Sequence, residues 1–438
     1  MTAAGNPITR HGAPDHCALP DSPLAQARAG LDACVHCGFC LQSCPTYVVL
    51  EDENDSPRGR IVLMRSLLEG SLSTDDEAVR GHLDRCLGCR ACETACPSGV
   101  PYGHLLEATR ATLTERHPLP LVARVMLAVF ARPRLLVIAM RFARALRASR
   151  LGAVLARLIP GRAGFALSML ESTRVPIGRP AYTTTARGER GSFALLEGCV
   201  MKGLYADTNA ATVRTLEVNG YACVPADGQR CCGALHAHAG DLDTARALAK
   251  RNVEAFEESG AQFIVSNAAG CGAMLREYGI LLAGDPEWAA RAEHVSRRAH
   301  DVSELLAEAG PEPGGSIDAR VTYDAPCHLL HAQRIAAPPL KVLAAIPGLT
   351  LVPLVDAEYC CGAAGIYNLL EPETSAGVLA PKLAHIAETG ATLVTTGNPG
   401  CLMQIGAGLR RDHQRARAIH PVDVLDASYA RRFGAERK

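Results

Sequence analysis

Aromatic residues make up only 4% of this 438-residue chain, too few for the stacking platforms that bind single-stranded nucleic acid. An excess of one charge is also missing. Lys+Arg and Asp+Glu stand at 45 each, so net charge gives no case for nucleic acid. No uncharged run reaches the ~18 residues that a spanning helix requires. The N-terminus shows no basic start followed by an apolar stretch, so it does not read as a secretory signal. There is no G-x-G-x-x-G followed by an acidic residue and no phosphate loop, hence no dinucleotide site. Neither G-x-S-x-G nor H-E-x-x-H occurs. A chain without its own flavin or nicotinamide site is not expected to take hydride from an organic substrate.

Cysteine, by contrast, is abundant at 18 residues. In a reducing compartment that usage points to metal ligands or redox thiols. Two runs share the spacing C-x2-C-x2-C-x3-C-P: Cys34–Cys37–Cys40–Cys44–Pro45 and Cys86–Cys89–Cys92–Cys96–Pro97. This is the bacterial ferredoxin spacing for [4Fe–4S] clusters, in which the fourth cysteine ligates the other cluster. The expected sets are Cys34, Cys37, Cys40 and Cys96 on one cluster, and Cys86, Cys89, Cys92 and Cys44 on the other. Structural zinc favours separated C-x2-C pairs, and a disulfide framework suits small secreted domains, so neither competes well. Cys17 stands alone and receives no role.

Length predicts two or three domains. Residues 1–23, rich in Pro, Ala, Gly and His, read as a loose arm. Residues 24–115 read as a helical module around the two cysteine runs. Within it Asp55–Arg60 reads as a turn, Ile61–Leu68 as a helix, and Asp75–Leu83 as another. Arg58 and Arg60 could balance anionic clusters, bind a partner or sit in a solvated turn. Residues 116–190 hold basic amphipathic helices broken at Pro133 and Pro160, then a linker from Glu171 to Arg190. Packing on a domain or partner subunit is the favoured reading of these helices, contact with a membrane surface the other.

A repeat follows. Cys199, Cys231-Cys232-Gly233 and Cys271 recur as Cys327, Cys360-Cys361-Gly362 and Cys401, at offsets of 128, 129, 129 and 130 residues. Two homologous α/β lobes are expected, 191–310 and 311–438. Strands are predicted at 193–196, 221–224, 263–265, 321–323, 351–354 and 393–395, and helices at 208–219 and 241–258. The cysteines then fall just past strand ends, where α/β sheets place their sites. The two sets are possible metal sites; a free vicinal pair or reactive dithiol is the alternative. Cys223 has no counterpart and reads as a core residue. His236, His238, His328 and His331 lie near the paired cysteines, as loop or core residues in preference to proton relays.

The cysteine sets resemble the cysteine-rich CCG domains of heterodisulfide reductase subunits and of iron–sulfur subunits of flavin-linked dehydrogenases. Joined to a two-cluster module, with Asp55-Ser56-Pro57-Arg58-Gly59-Arg60 and Cys86 through Gly103, the pattern is similar to the iron–sulfur subunits of glycolate oxidase. That resemblance implies an α+β multidomain fold: a helical ferredoxin-type module with two [4Fe–4S] clusters, then two duplicated α/β CCG lobes. It implies an electron-transfer subunit of a cytoplasmic complex, in contact with the membrane at most peripherally, with no catalytic residues of its own. FAD-binding partner subunits would oxidise glycolate to glyoxylate, and electrons would pass to a quinone or another carrier. Lactate-utilisation and glycerol-3-phosphate dehydrogenase subunits are alternatives in the same chemistry; a heterodisulfide-reductase-like thiol enzyme is one outside it. The full CCG pattern ends in C-x2-C, whereas Met274 and Gln404 stand where the last cysteine belongs, and neither replaces a thiolate well. An extra cluster in the lobes is therefore left open.

Overall fold

The computed structural model describes residues 17–177, 182–184 and 188–434. Most of the expected N-terminal arm, and 178–181 and 185–187 of the expected linker, lie outside those residues. The chain is already packed at Ala18, whose amide donates to Leu68 O at 2.7 Å. Leu19 and Leu24 enter the core of the first module.

That module is helical. The expected turn at Asp55–Arg60 is instead the start of a helix, Pro57–Glu69. Ser56 caps it by accepting from Gly59 N at 2.9 Å, and proline at the first position has no amide to leave unpaired. Gly59 is required by a close approach: a β-carbon there would lie 1.9 Å from Glu53 O. The next helix, Glu77–Asp84, is capped by Asp76, and Tyr102–Thr114 closes the module over its apolar core.

Four helices follow: Leu121–Ala131, Pro133–Ala148, Arg150–Leu158 and Gly161–Ser172. Pro133 and Pro160 mark two of the breaks, as expected. A third, at Ser149, carries no proline. None of the described helices is long and apolar enough to cross a membrane.

Each lobe is built on a four-stranded parallel sheet. The first contains β1 (Ser192–Leu195), β2 (Ala222–Cys223), β3 (Phe263–Ser266) and β4 (Ala299–Asp301), in the order β2-β1-β3-β4. The second contains β5 (Ala319–Tyr323), β6 (Leu349–Val352), β7 (Leu393–Thr395) and β8 (Arg417–Ile419), in the order β6-β5-β7-β8. Identical order and direction bear out the repeat. The edge strands β4 and β8 were not anticipated. Each has three residues without an apolar run, Ala299-His300-Asp301 and Arg417-Ala418-Ile419, unlike the equally short Leu393-Val394-Thr395 of β7.

The lobes share one core, in which Phe193 and Val265 of the first meet Val342, Val422 and Tyr429 of the second. The helix Pro421–Phe433 lies on the helix Ala206–Val218. Asp426 accepts from Arg214 Nη2 at 2.6 Å, and Thr208 Oγ1 donates to Asp423 Oδ2 at 2.9 Å.

Burial raises Asp423 from 3.8 to about 7, with the carboxylates of Asp426 and Asp207 adding to the effect. Between those two values the folded state holds a proton that the unfolded chain has lost. Stability is then fullest below pH 4 and declines up to pH 7, by at most about 1.4 kcal/mol per pH unit from this group. Asp423→Asn is expected to remove that decline, making the variant more stable than the parent at pH 8 and little changed at pH 4. Denaturant midpoints at the two pH values measure it.

Candidate functional site

The loop that follows the helix Arg28–Asp32 carries Cys34, Cys37 and Cys40 and turns on Gly38, at φ +85°. Arg65 Nη2 pins it by donating to Leu31 O at 2.6 Å, and Arg58 Nη1 reaches His36 O at 3.4 Å. Cys34, Cys37 and Cys40 line one recess together with Cys92 and Cys96, and Pro57, Arg58 and Tyr102 also face it. Burial pushes the Cys40 thiol up to about 11, whereas Cys37 is exposed at the surface.

The second grouping is interior. Cys86, Cys89 and Cys92 are buried, and Cys44 crosses from the first run to join them. Burial first, then the surrounding thiols, Cys44 and Cys86 included, hold Cys89 and Cys92 well above the usual range. Cys86 Sγ accepts from Gly88 N at 3.5 Å and from Tyr102 OH at 3.8 Å.

Arg60 anchors this group and is 0% exposed. Its Nη1 lies 3.9 Å from Cys44 Sγ and 3.0 Å from Thr46 Oγ1; its Nε donates to His82 O at 2.7 Å. Nη2 pairs with the buried Asp55 at 3.1 Å, which also takes Arg85 at 3.0 Å and His82 at 3.1 Å. Burial works against the Arg60 charge, but Cys86, Tyr102, Cys44 and Asp55 outweigh it and raise its pKa. Both arginines singled out in the sequence lie beside thiols: Arg60 at the interior set, and Arg58 at the recess of Cys34, Cys37 and Cys40, where it pairs with Glu53 at 2.8 Å, partly in solvent.

In the first lobe Cys199 follows β1, Cys231 and Cys232 precede the helix Ala234–His238, and Cys271 lies in the helix Ala269–Arg276. Cys231 Sγ lies 3.6 Å from Cys199 Sγ, and Cys232 Sγ 3.4 Å from Cys271 Sγ. Tyr278 OH donates to Cys232 O at 2.9 Å and Asn252 Nδ2 to Cys231 O at 3.0 Å, fixing the paired cysteines. Gly233 adopts φ +91°, which lets the chain fold back over them.

The second lobe gathers Cys327, Cys360, Cys361 and Cys401 in the same way. Gly362 N donates to Cys360 Sγ at 3.4 Å and Asn398 Nδ2 to Cys401 Sγ at 3.5 Å. Lys382 pairs with the buried Asp324 at 2.6 Å beside these thiols. Close neighbouring thiols and then burial keep Cys360, Cys361 and Cys401 well above their ordinary range. Buried thiols that face one another suit a cationic or iron–sulfur centre, which takes them as thiolates. Gln404 is committed elsewhere, to Asn368 at 2.8 Å and Ser375 Oγ at 2.9 Å, and Met274 packs in the first lobe's core.

The ferredoxin-type module is seated between the lobes. Leu87, Cys89 and Ala91 pack on Cys360, Tyr367 and Val378, with Cys327 at the edge. Tyr367 OH donates to Arg85 O and Tyr359 OH to Gln42 O, each at 2.9 Å. Against the first lobe, His238 Nδ1 meets Glu107 Oε1 at 2.8 Å and Arg110 Nη1 donates to His238 O at 2.8 Å. His331 Nδ1 meets Thr94 Oγ1 at 2.8 Å, and the His328 ring stands 5.2 Å from that of His238. His236, fully buried, points its Nε2 at Leu127 O at 3.1 Å. Two of the four histidines singled out in the sequence, His238 and His331, thus lie at the joints between module and lobes, and His328 lies where the two lobes meet. Cys17 packs half-buried on the module core and Cys223 on the shared core.

What the sequence did not disclose are Thr46, Asp55, Tyr102 and Lys382 as companions of the thiols. Asp55 and Tyr102 carried a signal only as members of the Asp55–Arg60 and Cys86–Gly103 stretches.

The family described as 4Fe-4S dicluster domain matches residues 30–100, and the one described as Cysteine-rich domain matches 193–276 and 321–406. A Bacillus subtilis protein named "Probable glycolate oxidase iron-sulfur subunit" is 36% identical over 413 residues, covering 90% of this chain and 92% of that one. The "Glycolate oxidase iron-sulfur subunit" of Escherichia coli is 36% identical over 397 residues, covering 88% and 92%. The "Lactate utilization protein A" of Oceanobacillus iheyensis is 30% identical over 230 residues, covering 52% of this chain and 93% of that one.

Proposed function

The chain belongs to the family of glycolate oxidase iron–sulfur subunits, and from that premise we propose that it conducts electrons from a flavoprotein partner that oxidises glycolate to glyoxylate towards a quinone or another carrier. Cys34, Cys37, Cys40 and Cys96 hold one [4Fe–4S] cluster in this reading, and Cys86, Cys89, Cys92 and Cys44 the other. A bound cluster supplies one-electron redox capacity at a potential set by its charge, hydrogen bonds and exposure.

The protein's own groups set those terms. The Arg60 guanidinium and the Gly88 amide offer positive charge and a donor to Cys44 and Cys86, which favours the more negative, reduced state. Leu87, Tyr367 and Val378 keep water from Cys89. The observation that carries the reading is a sequence of neighbours: a surface set beginning at Cys37, an interior set, and the second lobe's Cys327 and Cys360 packed against Cys89. Electrons have a surface terminus at the first set and a continuation into the second lobe. The four-thiol groups Cys199, Cys231, Cys232, Cys271 and Cys327, Cys360, Cys361, Cys401 are proposed as further metal sites.

Anaerobic protein is expected to contain about eight irons with matching acid-labile sulfide for the module alone, and more if the lobes are loaded. In the complex, glycolate should bleach the iron–sulfur absorbance. Zinc without sulfide would end this reading, and bleaching by lactate but not glycolate would transfer it to the other substrate.

A further inference from the structure

The four helices between module and lobes combine two features that electron transfer does not use. Residues 116–170 contain ten arginines and no Asp, Glu or Lys, in a chain whose total charge is balanced. The same stretch carries ten of the nineteen exposed large apolar side chains among the described residues.

The arrangement is ordered. On Pro133–Ala148, a helix with no buried residue, Leu135, Ile138 and Phe142 are 41%, 64% and 71% exposed. Their spacing i, i+3, i+7 puts them on one stripe. On Arg150–Leu158, Leu151, Val154 and Leu158 repeat that spacing and are likewise exposed. Arg141 and Arg157 hold the same place beside each stripe, six residues after its first member. Pro133–Ala148 packs inward through Leu136 and Arg150–Leu158 lies against Gly161–Ser172, and each directs its exposed apolar stripe outward.

We propose that this face is the surface by which the protein lies on an anionic lipid bilayer. An interfacial helix buries an apolar stripe at the headgroup boundary while flanking arginines reach the lipid phosphates. Charge complementarity selects the occupant. A strip with cations on every helix, whose single carboxylate, Glu171, is buried at its end, finds negative charge all along an anionic membrane, whereas a protein partner would have to supply matching acids at each position. The helices are too short and too charged to cross, so they lie in the plane. The proposal deepens the peripheral membrane association named above and does not depend on which acid is oxidised.

The test is sedimentation of the intact complex with vesicles. Phosphatidylglycerol–phosphatidylcholine vesicles should carry it down at low salt, while pure phosphatidylcholine should not. Arg134→Gln/Arg141→Gln/Arg144→Gln should weaken partitioning on the order of a hundredfold, and Ile138→Asp/Phe142→Asp/Leu158→Asp should abolish it. Glycolate-driven reduction of a soluble dye should be unchanged in both variants, which separates this surface from the electron path. Failure of the parent complex to sediment with anionic vesicles would overturn the proposal. So would loss of the flavoprotein subunits from the Asp variant with vesicle binding intact, because the face would then belong to the partner.

Discussion

Cys89→Ser should lower the iron of the anaerobic protein from about eight to about four per chain, with an equal loss of acid-labile sulfide, and should loosen the seat of the second lobe. A serine hydroxyl is a hard, weakly acidic ligand where the centre calls for a soft thiolate. The position is also buried, packed among Leu87, Ala91, Cys360 and Tyr367. A polar hydroxyl in that setting, without its intended partner, costs about 1–3 kcal/mol. Cys37→Ser is the contrast. It should also halve the iron, but Cys37 is exposed, so the docking of module on lobes should survive. Iron and sulfide analysis reads the first effect. Limited proteolysis between module and second lobe reads the second and should distinguish the variants. Equal proteolytic sensitivity in both would contradict the placement of Cys89 at the joint.

Arg60→Met should be the most damaging single change outside the cysteines. The guanidinium makes four contacts at once, to Asp55, Thr46, His82 O and Cys44 Sγ. Removing it leaves Asp55, 2% exposed at the side chain, short of one cation. Breaking a buried pair in this way typically costs about 3–5 kcal/mol. Arg85 and His82 stay beside Asp55 and hold the loss toward the lower end. Arg60→Lys should recover only part of it, because a single ammonium cannot reproduce a planar fork that serves four acceptors. A denaturation midpoint of the iron-loaded protein measures stability. Redox titration should show one centre moved to a more negative potential in Arg60→Met, since a positive charge near Cys44 favours reduction. A stability loss with no such shift would mean that Arg60 serves the fold alone.

The cysteine runs and the repeat were legible because each is written in local spacing. Cys34 to Cys44 lie within one loop, so covalent geometry limits what their sulfurs can do together. The repeat offsets forced two copies of one topology, and β2-β1-β3-β4 and β6-β5-β7-β8 followed. Helix caps were half-legible. Asp241 was read as a helix start and caps Leu242–Glu258, whereas Ser56-Pro57 was read as a turn although serine followed by proline is equally a capping signal. The strands β4 and β8 were illegible, since Ala-His-Asp and Arg-Ala-Ile carry no apolar run and pair only where β3 and β7 meet them.

The sequence by itself determined the chemistry of this protein: eight cysteines in two runs with the soft-ligand character and the tight spacing that iron–sulfur centres demand, and eight more in a repeated pair of sets. Only the tertiary structure decided which set meets which. That Cys89 abuts Cys360 and not Cys231, that Arg60 is interior while Arg58 is not, and that Leu135, Ile138 and Phe142 face outward are outcomes of packing between segments far apart in the chain. Spacing constrains atoms a few bonds from one another. Adjacency across hundreds of residues is settled by which apolar surfaces exclude water together, and no short pattern records that.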